Sequence, residues 1–411
     1  MLPPLNIITP LPPKKSGIAN YALKVSTALS KYFQITFIVD QTEYDLEGAD
    51  FEVIQFAEFT ADPARRQALS LLHMGNNPDH IHVYRAADHV TGLIVQHDLA
   101  LHHFIESITL AEGRFEEYLR ILQQEYGDAG RSIAMARRIG IFDDSTKFLF
   151  PAVSHFVRKG CGAIVHSNWA VRRLRSVMDE RLFCIPHFVE QDILDRSAAA
   201  MRAEPEAKEV FDRFGIPEGR FVIGMLGFAT EPKCIREVTK AFVQQMKAMP
   251  DLHLVIGGEV HISGLDAELK TLRDAGRLTV TGYLNRNELE YICARLNLLF
   301  NLRFPTVGES SGILSMAMGF GTPCAVFDFG PMAEFSHEEV FRIPFHGTGD
   351  VLVASLANFL AKVRGMPAEA VMQLGLNAKT RMQKTAAIDV VCEDYRRAIE
   401  SVMDSPMLAV G

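Results

Sequence analysis

Short apolar, β-rich runs alternate with helix-patterned segments along this whole chain, and they do so in two separate series. The first series is Leu5–Thr9, Ile35–Val39, Phe51–Phe56, His80–Tyr84, Gly92–Gln96 and Gly162–Val165. The second is Phe221–Met225, His253–Ile256, Thr279–Val280, Leu298–Asn301 and Pro323–Val326. Such runs read as parallel strands buried on both faces, with helices as the crossovers between them. Two series predict an α/β protein of two facing Rossmann-like, doubly wound domains with an interdomain cleft. The length agrees, because 411 residues exceed what one ordinary core encloses.

A polar, Ala/Glu/Arg-rich stretch at 190–218, carrying Pro205 and Pro217, separates the two series. It sets an N-terminal domain at 1–188 and a C-terminal domain at 189–386. A last helix within 387–411 is free to pack back on the N-terminal domain. Inside the first domain, residues 101–140 are mixed in charge and helical in pattern, and read as an inserted helical segment.

Charge and cysteine usage narrow the function classes. The net charge of −8 disfavours non-specific nucleic-acid binding. The six cysteines lie far apart with no CxxC pair, so they read as free thiols of a reducing compartment and not as a zinc site. The fourteen histidines show no ligand spacing, so no metal is expected. The N-terminal MLPPLNIITPLPP lacks the pattern of a signal peptide. No apolar stretch reaches the roughly 18 residues of a membrane span. A cytoplasmic protein is expected, with peripheral contact to the inner face of the membrane left open. Arg172, Arg173 and Arg175 on one short helix read either as a solvated face or as a contact to an anionic surface.

Four segments can carry chemistry. In the first, the run Leu298–Asn301 leads into Gly308-Glu309-Ser310-Ser311-Gly312, and a helix follows from Gly312 to about Phe320. A strand, a small-residue loop and a helix start gather free amides and the positive helix end at one point, which suits a diphosphate. Glu309 would be repelled by phosphate and is better suited to accept from sugar hydroxyls. The alternative is a plain N-cap by Ser310 or Ser311 with Glu309 solvated. In the second, GFATEPK at 227–233, Lys233 starts a helix and can reach a phosphate, with Arg236 one turn on; a first-turn surface lysine is the alternative. The third is Ser16-Gly17 before a helix, where Gly17 lets the loop approach a ligand or is only a turn. The fourth is Gln96-His97-Asp98 at a strand end, where His97 can bond a sugar hydroxyl and Asp98 can orient it, or His97 is simply buried and bonded. Gly75-Asn76-Asn77 reads as a turn before the run at His80. No GxGxxG or GxxxxGK[ST] occurs, which disfavours dehydrogenases and P-loop ATPases.

Together these segments resemble the retaining GT-B glycosyltransferases of family 4, the glycosyl transferases group 1 set. NLRFPTVGESSGILSMAMGFGTP resembles the family's P-x-x-GE-[ST]-SG…A-x-G-x-P stretch, GFATEPK its donor-phosphate loop, IVHSNWA a segment near the end of the first domain, and PLPPKKSGIANY its N-terminal glycine loop. LHMGNNPDHIHVY and IVQHDLALHH resemble a bacterial subgroup linked to surface polysaccharide assembly, lipopolysaccharide included. The resemblance implies GT-B architecture and a retaining, metal-independent hexosyltransferase. It would use a nucleotide-sugar donor, GDP-mannose or a UDP-sugar, and a glycan or lipid-linked acceptor. No cofactor is implied, since the nucleotide-sugar is a substrate.

Carried over, Lys233 would bind the donor pyrophosphate, the backbone of Ser311, Gly312 and Ile313 would cradle it, Glu309 would hold the transferred sugar, His97 would sit beside that sugar and Gly17 would approach the phosphates. Gly308, Ser310 and Arg236 complete the donor-binding set. Two positions depart from the family. Counting back from Gly321-Thr322-Pro323, Met316 stands where a second glutamate is usual, and the first glutamate of the pair falls one residue off Glu309, at Gly308. Phe228 stands where an arginine is usual. These departures keep open a GT-B-fold binding or partner subunit without turnover; a nucleotide-sugar epimerase is a third reading, but it needs acid/base residues flanking the sugar, and no such pair is identified in the sequence.

Overall fold

Thirteen strands appear among the described residues of the computed structural model, which describes residues 2–14, 16–178, 180–260, 262 and 264–404. They divide between two sheets, and every pairing is parallel. The first sheet holds β1 (Pro4–Ile8), β2 (Gln34–Val39), β3 (Glu52–Gln55), β4 (Ser70–Met74), β5 (Gly92–Gln96), β6 (Gly162–Val165) and β7 (Leu182–Cys184), in the order 3-2-1-4-5-6-7. The second holds β8 (Phe221–Leu226), β9 (Leu252–Gly257), β10 (Leu278–Val280), β11 (Leu298–Phe300), β12 (Cys324–Phe327) and β13 (Phe341–Ile343), in the order 10-9-8-11-12-13. Both are doubly wound. The strand order reverses between β1 and β4 in the first sheet and between β8 and β11 in the second, and ligands of such sheets bind past the strand ends at that reversal.

By contacts the chain forms two units. The first is residues 1–186, 307–310 and 388–411; the second is 187–306 and 311–387. In the first, β4 and β5 are buried at every position, and Ile8, Leu72, Met74 and Ile94 join one core with the helices that cover them. Burying each such side chain contributes roughly 1.5–3 kcal/mol. The helix Ile388–Met403 belongs to this unit, packing on Gly17–Leu29 with the Tyr395 and Tyr21 hydroxyls 3.0 Å apart. Residues 102–138 form three helices, His102–Ile108, Phe115–Tyr126 and Asp128–Arg138. In the second unit separate clusters cover the two faces of the sheet, one around Phe211, Leu314 and Met318, the other around Val238, Phe242 and Leu356.

The structure corrects the reading of His80–Tyr84 as a strand. That segment is a 3-10 turn, Pro78–His80, running into the helix Ile81–Ala86. Pro78 sits in the first turn and Asn77 Oδ1 accepts from the Asp79 amide, and this start outweighs the β-branched pattern. The strand lies earlier, at β4, where Ser70 and His73 interrupt the apolar run and conceal it. The Gly75-Asn76-Asn77 turn therefore follows a strand instead of preceding one. The short edge strands β7 and β13 were also absent from the sequence reading.

Candidate functional site

Two segments of the second unit leave the sheet at its reversal point and come together. After β8 the chain turns through Gly227 and a 3-10 turn, Glu231–Lys233, into the helix Ile235–Gln245. Cys234 links turn and helix in the left-handed region at φ 56°, a conformation that costs a non-glycine residue roughly 1–2 kcal/mol. Lys233 is 9% exposed, and its Nζ donates to the Leu226 carbonyl at 2.8 Å. After β11 the chain reaches Ser311 and the helix Gly312–Phe320.

Gly227 is where the two segments meet. A Cβ there would stand 2.9 Å from Lys233 Nζ and 3.8 Å from Ile313 Cγ1, and its φ of 82° disfavours any side chain. The ammonium of Lys233 and the first turn of the helix therefore lie at one spot.

That helix start is built to present amides. Ser311 is its N-cap: the Oγ accepts from the Leu314 amide at 3.2 Å and donates to Asn301 Oδ1 at 3.0 Å. The hydroxyl is thus committed to structure, and Ser311 can offer a ligand only its backbone. The Gly312 and Ile313 amides have no carbonyl one turn back, as in any first helical turn. The first turn carries no acidic side chain to oppose an anion. Asn301 Nδ2 is buried with no hydrogen-bond partner among the described residues. His187 borders the same start, its Nε2 standing 3.3 Å from the Cβ position of Gly312. Its Nδ1 donates to the Phe188 carbonyl, and burial pushes its pKa down. Arg236 bonds the Gly264 carbonyl at 2.9 Å and approaches Glu231 at 3.4 Å.

The remaining candidates lie in the first unit. The Leu99 amide donates to the Val307 carbonyl at 2.6 Å, and Gly308 is wedged beside Leu99 and Trp169, where a Cβ would come within 2.5 Å of the indole. Glu309 Oε2 accepts from the Val307 amide at 3.0 Å, and Ser310 belongs to the same stretch. Gly17 opens the helix Gly17–Leu29 directly after the β1 loop, and a Cβ there meets nothing within 4 Å. His97 follows β5. Its ring is held by two histidines absent from the sequence reading, with His73 Nδ1 3.1 Å from His97 Nε2 and His166 Nε2 3.1 Å from His97 Nδ1. The available signal was position: His73 lies in β4 and His166 follows β6, the strands on either side of β5. Asp98 accepts from the Asn76 amide at 2.8 Å and so fixes the turn after β4. Arg172, Arg173 and Arg175 are exposed, with Arg173 lying over the Trp169 ring. Among the described residues no three His, Cys, Asp or Glu side chains form a metal-ligand group, and no helix is long and apolar enough to cross a membrane.

No protein-family model and no curated protein matches the chain. Solved structures do. A glycosyltransferase from Rickettsia africae aligns over 98% of this chain and 99% of its own, with a TM-score of 0.66 at 10% identity. HepE of Anabaena, in complex with UDP-glucose, aligns over 97% of this chain and 99% of its own, with a TM-score of 0.66 at 12% identity. WaaG, a glycosyltransferase involved in lipopolysaccharide biosynthesis, aligns over 99% of this chain and 100% of its own, with a TM-score of 0.56 at 13% identity. The chain has their GT-B fold.

Proposed function

We propose that the chain is a glycosyltransferase that moves a sugar from a nucleotide-diphosphate sugar, GDP-mannose or a UDP-sugar, to a glycan or lipid-linked acceptor. The observation that carries this reading is the meeting of Lys233 Nζ with the first turn of the helix Gly312–Phe320 at Gly227. Breaking the anomeric C–O bond leaves negative charge on the departing diphosphate. A lysine beside the first turn of a helix, whose amides have no carbonyl one turn back, stabilises such a charge. HepE, with UDP-glucose bound, has the same fold, which supports a nucleotide-sugar donor.

The roles follow the chemistry of each side chain. Lys233 and the amides of Gly312 and Ile313 hold the diphosphate, with Ser311 fixing the helix start and Arg236 bordering the lysine turn. Glu309 and His97 address the transferred sugar, and Gly17 leaves room for the phosphates. Transfer with retention, in the manner of family 4, has the leaving phosphate take the acceptor's proton, so neither a protein nucleophile nor a metal is required. A cytoplasmic enzyme of surface-polysaccharide assembly, at the inner face of the membrane, fits the reading. Met316 is partly buried against the core, where a glutamate would otherwise bind the donor, and this favours as second reading a subunit that binds without turning over.

Nucleotide release from UDP-glucose and GDP-mannose, with and without glycan acceptors, tests the proposal. Turnover is expected, and Glu309→Gln is expected to lower kcat while the nucleotide's Kd stays within about threefold. Tight nucleotide binding with no release from any donor would transfer the case to the binding subunit.

A further inference from the structure

Three imidazoles of the first unit form a row whose protons are assigned by one backbone atom. The Ile185 carbonyl has no proton to give, so His166 donates to it through Nδ1 at 2.9 Å. With its ring neutral, His166 has only a lone pair at Nε2, and His97 Nδ1, 3.1 Å away, is then the donor. His97 Nε2 becomes a lone pair in turn, and accepts from His73 Nδ1 at 3.1 Å. The row ends at His73 Nε2, which has no hydrogen-bond partner among the described residues and sits on a fully buried ring.

The sheet imposes this row. His73 on β4 pairs in register with Val95, and Val95 with Ile164. His97 and His166 each lie two residues further along, so all three side chains share one face. Tyr21 covers that face with ring centroids 5.0 Å from His97, 5.3 Å from His166 and 6.1 Å from His73. Burial of His73 lowers its pKa to about 3, so this end of the row carries no charge at neutral pH.

We infer that His166 is a positioning residue that fixes His97 as its Nδ1–H tautomer, so that His97 Nε2 is an acceptor: it takes the His73 Nδ1–H in this structure, and in a loaded site a sugar hydroxyl displaces His73 from that one lone pair. The second half rests on the glycosyl-transfer reading; the first half does not. His97 then recognises a hydroxyl by accepting its hydrogen bond, and disfavours a fluorine or an ether at that position, because two acceptors repel.

Imidazole nitrogen shifts of the full chain labelled with 15N-histidine, at about pH 7.5, report the tautomers, with signals assigned by substitution of each histidine. A neutral Nδ1–H ring is expected for His97. His166→Phe keeps a ring and removes both nitrogens. It should populate the Nε2–H form of His97 and lower kcat for nucleotide release from UDP-glucose or GDP-mannose about tenfold, with the donor KM within about threefold. His166→Gln, whose Oε1 can accept from His97, should recover most of kcat. A wild-type His97 found as imidazolium or as the Nε2–H tautomer overturns the assignment whatever the protein transfers. Wild-type kcat in His166→Phe overturns the positioning role. Should that variant fail to fold, the wild-type spectrum and His166→Gln decide: a Gln variant about tenfold or more slower than the wild type overturns the role. An absence of turnover with every donor overturns the sugar half and the glycosyl-transfer reading, while the spectrum still decides the tautomer.

Discussion

Lys233 is buried to 9% exposure, and its ammonium donates to the Leu226 carbonyl, which fixes a positive charge beside Gly227. Gly227 makes that position available, because any Cβ would stand 2.9 Å from Nζ on a backbone at φ 82°. Gly227→Ala should therefore weaken UDP or GDP binding about tenfold or more and destabilise the second unit by roughly 1–2 kcal/mol. Calorimetric titration and thermal melting check both, and unchanged affinity would remove Gly227 from the site. The place of Lys233 just ahead of a helix was legible in the sequence from the Pro before it. The partners of His97 were not legible. His73 and His166 stand 93 residues apart, and only the pairing of β4, β5 and β6 brings them to one ring.

At the scale of elements, the helix Gly312–Phe320 was legible to its ends. A strand, small residues, serines and an apolar run followed by Gly321 form a start and a stop that propensity alone can place. What the sequence left open, Ser310 or Ser311 as cap, the structure resolves as Ser311, whose hydroxyl joins Asn301 to Leu314. Ser311→Ala should cost about 1 kcal/mol of stability, the usual worth of a cap. It should also weaken diphosphate binding several-fold through a loosened helix start, while Ser310→Ala leaves both nearly unchanged. Melting curves and titrations of the two variants side by side test this, and equal effects from the two would contradict it. The strand β4 was missed for the opposite reason. Its two polar residues, Ser70 and His73, are buried by the sheet and broke the apolar signature on which the reading relied.

At the scale of the whole molecule, the alternation of runs was enough to fix two parallel doubly wound sheets, because fully buried strands and amphipathic crossovers leave few other solutions. The placement of single histidines has a consequence at this scale too. Burial lowers the pKa of His73 to about 3 and of His80 to about 4, so neither takes up a proton in the fold at pH 5, whereas the unfolded chain does. A depressed histidine contributes stability above its unfolded value near 6.5, and that stability is lost as the pH falls. For these two groups the loss from pH 7 to pH 5 is on the order of 4 kcal/mol. Trp169, the single tryptophan, lies in the first unit with both histidines, so its fluorescence during urea unfolding reports this loss. A midpoint that stays constant from pH 7 to pH 5 would contradict it. The central claim is narrower: a lysine and a helix start gathered at Gly227 take up the diphosphate of a nucleotide sugar. Calorimetric titration of UDP and GDP into the wild type and into Lys233→Met tests it most directly. The account predicts that at least one nucleotide binds the wild type and that the variant loses about 30-fold in affinity, roughly 2 kcal/mol, with an unchanged Tm. Equal affinity in the two proteins, or no binding of either nucleotide to the wild type, would contradict it.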